Sequence, residues 1–238
     1  MVYRFFFLLV SFSCLMNATI YVSLGSNCIP AFHLRDAGFR AEAYPFDWTL
    51  TPHVNGLMRA IETKFKDFFL KENLIHVEAH HIRDTLYQMT YLHDFPFHLI
   101  DIPNGKYPQI NADWINSYPE IKEKYDRRIE RFHNLANISE PIYFFRFFSI
   151  SKSEAIQIKD LLDNQLHLKG STLVVLNNTD EFKEDWKLAD IKNFYFEGKL
   201  EEAWNPKLFK NMCQKLGIII PNTRERDNEE NIRHFDIN

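Results

Sequence analysis

Glycine is scarce in this chain, 7 of 238 residues, and that works against any glycine-rich phosphate cradle. The strand-to-helix turn that could serve as one, "GSNC" at 25 to 28, carries a single glycine where phosphate loops use several. Cysteine is scarcer still, at 3, too few for a disulfide framework in a chain this long. Neither sign of charge dominates. With 28 Lys and Arg against 32 Asp and Glu, the formal charge of −4 gives no general pull toward nucleic acid or an anionic membrane. No apolar run is long enough to span a bilayer comfortably, and no internal repeat or low-complexity segment is present.

What the chain does have is aromatic bulk, with 22 Phe, and enough length to bury a full core as one domain. The first residues, "MVYRFFFLLVSFSCLMNA", place Arg4 before a short apolar run that ends near Ala18, the pattern of a signal peptide over residues 1–18. A lipoprotein reading through Cys14 fits less well, so the expected location is secreted or periplasmic, with no stable membrane span after leader removal. Residues 19–220 then form a single catalytic domain, and the polar stretch 221–238 is a tail too hydrophilic to pack. Cys28 and Cys213 remain, and one bridge between them is possible.

"TIYVSL" reads as a buried strand, and a helix begins near Asn27, with Pro30 in its first turn and Gly38 as its stop. Further helices are expected from Val54 to Leu70, Ser117 to Asn137, Ser153 to Leu166 and Glu202 to Leu216. Strands are expected near Leu86 to Leu92, followed by a loop, and at "IYFFRFF", "TLVVLN" and "NFYFEG". Strand, helix, strand at these spacings gives an α/β protein, a mostly parallel sheet with helices on both faces. The alternative is a papain-like α+β fold. Ligands in α/β sheets gather at the carboxyl ends of the strands, where "GSNC" sits if "IYVSL" is central.

Cys28 in the first turn of a helix meets the positive end of the macrodipole, which favours thiolate. The backbone amides of Ser26, Asn27 and Cys28 are placed to hold an oxyanion. The competing reading is a small residue packed at a crowded turn, and the residues alone leave both open. Among ten histidines, His93 in "YLHDFPFH" follows a strand and is ringed by aromatics, whereas His33 points away from the helix N-terminus. Asp94 beside it suits a turn better than it suits orienting the same ring. "HVEAHH" at 76 to 81 is not HExxH and reads as a solvated bend, so no metal and no other cofactor is expected. Asp47 and Trp48 in "YPFDW" are supporting candidates. So is Arg146, whose burial on an apolar strand demands an anionic partner, either Asp47, Asp94, Asp180 or a ligand. Asn178 and Asp180 lie near the expected site edge.

Taken together, "SLGSNCIPAFHLRDAGFRAEAYPFDW", "LHDF", "YDRRIERF" and "YFFRF" resemble an uncharacterised bacterial and viral family described as papain-like cysteine peptidases. The likeness covers about residues 20 to 200 and rests mainly on its first block. It implies Cys28 as nucleophile and His93 as its base, with Asp94 in the same block; for a third residue the nearest polar choices are Asp113 and Asn116. The reading that follows is a thiol hydrolase acting on an amide or ester bond of an unidentified substrate. A nucleotide- or sugar-dependent transferase that pairs Arg146 with a phosphate is the second reading, and a non-catalytic binding protein the third.

Overall fold

The computed structural model describes residues 19–219. The leader read over residues 1–18, the lipoprotein alternative at Cys14 and the tail read over 221–238 lie outside the described residues.

Four strands form a fully parallel sheet in the order β1 (Ile20–Ser23), β8 (Ile142–Phe147), β9 (Thr172–Asn177), β10 (Ile191–Tyr195). Alternation along the strands splits the core in two. Tyr21, Phe145, Phe147, Val174, Leu176 and Phe194 face a cluster built with α1 (Ile29–Asp36) and α5 (Pro206–Lys215). Val22, Phe144, Leu173 and Val175 face the larger cluster built with α2 (Val54–Glu62), α3 (Tyr118–Asn134) and α4 (Lys152–Gln165). Helices therefore cover both faces of this parallel sheet, and together with the antiparallel strands inserted between β1 and β8 the architecture is compatible with both α/β and α+β. The helix α4 starts on a capping box, with Ser151 Oγ accepting from Glu154 N and the Glu154 carboxylate accepting from Ser151 N.

Two antiparallel elements interrupt the crossover from β1 to β8. One is a four-stranded sheet in the order β2 (Thr49–Leu50), β5 (Met89–Tyr91), β4 (His81–Asp84), β3 (Leu74–Glu78). The other is a hairpin of β6 (Phe97–Ile102) and β7 (Gly105–Ile110), where only a loop is expected from sequence. Among the described residues no helix is long and apolar enough to cross a membrane.

Three differences from the sequence reading have physical causes. The helix α2 ends at Glu62 rather than running to Leu70, because Lys64, Phe65, Asp67 and Phe69 adopt positive φ. That irregular path lets Phe65, Phe68 and Phe69 all enter the core, which no single helical face could do. The last helix splits at Asn205, held extended before Pro206, into a 3-10 turn and α5. And β1 is an edge strand, not a central one. The strand order runs in one direction without reversal, so this sheet has no crevice of the kind that forms where the order reverses. Any site near Cys28 must be built instead by the turn after β1 and the antiparallel insertion packed beside it.

Candidate active site around Cys28

After β1, Leu24 N–H still donates to Phe145 O at 2.8 Å, and the chain then turns sharply through Gly25 at φ +71° and Ser26 at φ +88°. A Cβ at position 25 would come within 3.0 Å of Phe46 O and 3.3 Å of Thr51 Oγ1, so the glycine is needed for space as well as for its dihedral. Ser26 holds its strained backbone through two bonds to one residue: its N–H donates to Thr51 Oγ1 at 3.0 Å, and its carbonyl accepts from Thr51 N at 2.9 Å. Asn27 Oδ1 accepts from Ile29 N at 3.0 Å, and Cys28 occupies the N-cap of α1 with helical dihedrals (φ −79°, ψ −7°).

Cys28 is a half-buried free thiol. Burial pushes it up, with its own backbone N–H pulling weakly the other way. The direction is opposite to that expected from the helix end, because covering the sulfur disfavours its charged form. The expected oxyanion set is also narrowed, because the Ser26 amide is already spent on Thr51.

Arg146 explains why this turn is rigid. Its guanidinium is fully buried; Nη1 donates to Leu24 O at 3.1 Å and Thr51 Oγ1 at 2.5 Å, and Nη2 to Thr51 O at 2.7 Å. Desolvation lowers its pKa to about 9, with Glu154 acting in the opposite sense. The demand for an anionic partner is corrected here, since carbonyl dipoles and a hydroxyl take up Nη1 and Nη2, and of the guanidinium nitrogens Nε alone is left without a hydrogen-bond partner among the described residues. Asp47 pairs with Arg40, Asp94 with Lys124 and Asp180 with Lys183. Sealed in this way, Arg146 has no route to a phosphate, which removes the residue on which the transferase reading stood.

Two histidines flank this region. His33 is a core residue: its Nε2–H donates to Ala203 O at 2.7 Å and its ring stacks on Phe209 at 5.1 Å. His93 stands exposed beyond β5, edge-on to Trp48 with ring centroids 6.2 Å apart. Partial burial of the ring lowers the His93 pKa, Asp94 raises it in part, and His81 lowers it further. With Asp94, Phe95, Ser117, Lys124 and Arg127, His93 lines a cleft of about 490 Å³ between the β5–β6 connection and α3. The Asp94 carboxylate is committed to α3, through Lys124 Nζ at 2.5 Å and Tyr125 OH at 2.7 Å.

The link between this cleft and Cys28 runs along one helix face. Cys28, Phe32 and Arg35 fall at i, i+4 and i+7 of α1 and share a side. Arg35 lies over both Phe32 (5.5 Å) and Trp48 (5.4 Å), and Trp48 meets His93. The other candidates lie apart. Asp113 caps a 3-10 turn that includes Asn116, Asn178 Nδ2 donates to Gly198 O, and His76 sits on strand β3 with Nε2–H donating to Ala79 O. Cys213 is fully buried, its thiol pushed up to about 12 by desolvation, and it does not pair with Cys28.

Asp47 yields a pH prediction. Its carboxylate accepts from Tyr44 N at 3.0 Å and Arg40 Nη2 at 2.8 Å, yet burial pushes its pKa up to about 6 against the downward pull of Arg40. A folded pKa above the unfolded value means folding favours the protonated acid. The contribution is complete below about pH 4 and is lost as pH rises through 6, roughly 3 kcal/mol by pH 8. Urea unfolding of wild type and Asp47→Asn across pH 4 to 8 reads this out. The stability of wild type relative to the variant should fall with rising pH; a rise would mean that the Arg40 pair dominates.

The half-buried thiol at the start of the first helix and the His93 ring are thus joined through Phe32, Arg35 and Trp48. Residues 19–177 match the family described as "Putative papain-like cysteine peptidase", and the chain belongs to that family. The chain is also 25% identical, over 236 residues, to an uncharacterized protein of Acanthamoeba polyphaga mimivirus; the match covers 89% of this chain and 95% of the viral one. No solved structure matches.

Sequence reasoning passed over Arg35, Arg40 and Arg128, although all three stand inside the motif blocks "LRDAGFR" and "YDRRIERF". Thr51, the hub that Ser26 and Arg146 share, has no sequence signal at all.

Proposed function

We propose that this protein is a thiol hydrolase in which Cys28 attacks the carbonyl of an amide or ester and His93 carries the proton. The sulfur bonds to the carbonyl carbon as its proton passes to the imidazole. Collapse of the tetrahedral adduct expels the amine or alcohol, which takes that proton, and water then cleaves the thioester. The observation that carries the reading is the placing of Cys28 itself: a free thiol at a helix start, held by a turn whose strain is fixed by Thr51 and Arg146. With the thiol pushed up by burial and the imidazole pushed down by burial, the resting pair in this mechanism is neutral. Proton transfer then accompanies attack instead of preceding it. Asn27 and Cys28 supply the amides nearest the developing oxyanion.

Acylation by p-nitrophenyl acetate, followed by peptide mass spectrometry, tests this. The expected product is an acyl group on Cys28 with Cys213 untouched, and a rate that keeps rising with pH toward 9 instead of levelling below 7. Removing the base in His93→Ala should slow acylation by about 10²-fold. Equal labelling of the two cysteines, or an unchanged rate in His93→Ala, would overturn the mechanism and leave the binding-protein reading.

A further inference from the structure

We propose that Arg35, Arg40 and Arg128, gathered around Trp48 and Asp47, form a binding site for an oxyanion, and that this site takes an anionic group of the substrate on which Cys28 acts. The second half of that statement rests on the hydrolase reading; anion binding itself needs no reaction.

The cluster is assembled from three segments. Arg35 on α1 and Arg40 in the connection after it lie 5.4 and 5.3 Å from the Trp48 ring centroid, so two guanidinium groups bear on one indole. Arg128 on α3 lies 5.0 Å from the Tyr125 ring. The residues one turn further along hold α3 against segment 42–47: Arg131 Nη1 donates to Ala43 O at 2.9 Å, and Phe132 meets the rings of Tyr44 and Phe46. Arg128 shares that face of α3, and its charge is felt by both Arg40 and Asp47.

Charge does not balance within this cluster. Asp47 is the carboxylate in contact with it, and a single carboxylate cannot neutralise three guanidinium groups. Glu42 lies 3.7 Å from Arg131 and Asp94 is bound to Lys124 and Tyr125, and Asp36 beside Arg35 makes no ion pair with the cluster among the described residues. Arg128 supplies a second, independent observation. It is only 8% exposed, and its Nη1 is buried with no hydrogen-bond partner among the described residues. A buried, unpartnered guanidinium nitrogen beside two further arginines is a costly arrangement. Conflicts of that kind persist where a ligand relieves them. The planar guanidinium fork matches carboxylate and phosphate oxygens.

Arg35 is seven residues beyond Cys28 on the same face of α1, about 10 Å along the axis, the reach of about three extended residues. A peptide or peptide-like amide with a carboxylate or phosphate that far from its scissile bond would therefore span sulfur and anion site together.

Isothermal titration of the full chain with inorganic phosphate and with glutarate, each against sodium chloride at equal ionic strength, tests the site. At least one oxyanion should bind above the chloride control, and the stronger of the two identifies the group as phosphoryl or carboxyl. Arg128→Gln should weaken that binding about tenfold or more, the usual scale for losing a charge-assisted bond. Arg35→Gln, at an exposed position where folding is not at stake, should weaken it in the same direction, while Lys183→Gln, paired with Asp180 at the surface, should not. Absence of binding by both anions, or unchanged binding in Arg35→Gln, overturns the site. Repeating the titration in Cys28→Ser separates the two proposals: binding that survives there while acylation of wild type fails would sink the hydrolase reading alone.

Discussion

Gly56→Ala should destabilise the protein by about 3 kcal/mol, the upper part of the range for overpacking a rigid interior. A Cβ built at Gly56 would lie 1.9 Å from the Tyr87 carbonyl oxygen and 3.1 Å from its carbon. Both are backbone atoms of the turn between β4 and β5, so no side-chain rotation relieves the clash. Helix propensity argues for the opposite sign, since alanine is favoured over glycine in a helix interior by about 1 kcal/mol. The steric term wins because the turn is fixed on its other side. The Asp84 carboxylate accepts from Phe69 N, Leu86 N and Tyr87 N at 3.1, 2.9 and 3.0 Å. To admit a methyl group, α2 must move away from the antiparallel sheet or those bonds must stretch. A melting-temperature drop of roughly 6 to 12 °C is expected for a domain of this size. Asn55→Ala, at the exposed neighbouring position, reads the propensity term by itself, and a Gly56→Ala variant as stable as that control would show that the helix can shift freely.

The parallel core was legible because burial on both faces leaves a continuous apolar run. "IYFFRF" and "TLVVLN" became β8 and β9, the two inner strands of the sheet. Likewise Ile121, Tyr125 and Phe132 repeat with helical period against a charged exterior, and α3 follows within a few residues of its expected bounds. The antiparallel insertion was not legible, since β2 has two residues and β5 three, too short for any alternation to register. The hairpin β6–β7 leaves Phe97, Leu99, Ile102 and Tyr107 exposed and buries only Pro108 and Ile110 at the end of β7, too short a face to be read. Its turn, with Asn104-Gly105 and Gly105 at φ +135°, was nevertheless a readable hairpin signal. That β1 lies at the edge depends on pairing between residues more than a hundred positions apart, and local pattern carries no such information.

At the candidate site the placing of Cys28 was legible from punctuation, because Gly25 and Pro30 bracket a strand-to-helix turn. Its protonation was not. The helix-end argument counts dipoles visible in the sequence, while desolvation depends on which distant side chains cover the sulfur. The aromatic and cationic shelf was hidden for a related reason. Arg35, Arg40 and Arg128 look like ordinary solvated charges along their helices, and only tertiary packing brings them to Trp48 and Asp47.

Arg146→Met should cost about 3 kcal/mol or more and loosen the turn that carries Cys28, which makes Arg146 the strongest link between stability and the site. Two effects oppose each other. Deleting the guanidinium removes a charge whose burial is unfavourable, as its pKa lowered to about 9 records. It also strips the donors from Leu24 O and Thr51 O, two carbonyls left inside the protein, each costing about 1 to 3 kcal/mol when unpaired. Methionine fills most of the volume, so the difference comes mainly from those orphaned acceptors and not from a cavity. Lysine should be no better, because one ammonium on a flexible stem cannot reproduce the planar fork that bridges Leu24 and Thr51. Thr51 would keep its bonds to Ser26 but lose the anchor beneath it, and the strained dihedrals at Gly25 and Ser26 would relax. The expected results are a lower urea midpoint for both Arg146→Met and Arg146→Lys, and faster, less selective alkylation of Cys28 by iodoacetamide in each. If Arg146→Met kept the wild-type midpoint, the carbonyls of Leu24 and Thr51 would have to find other donors, and the turn after β1 would owe its shape to Thr51 alone.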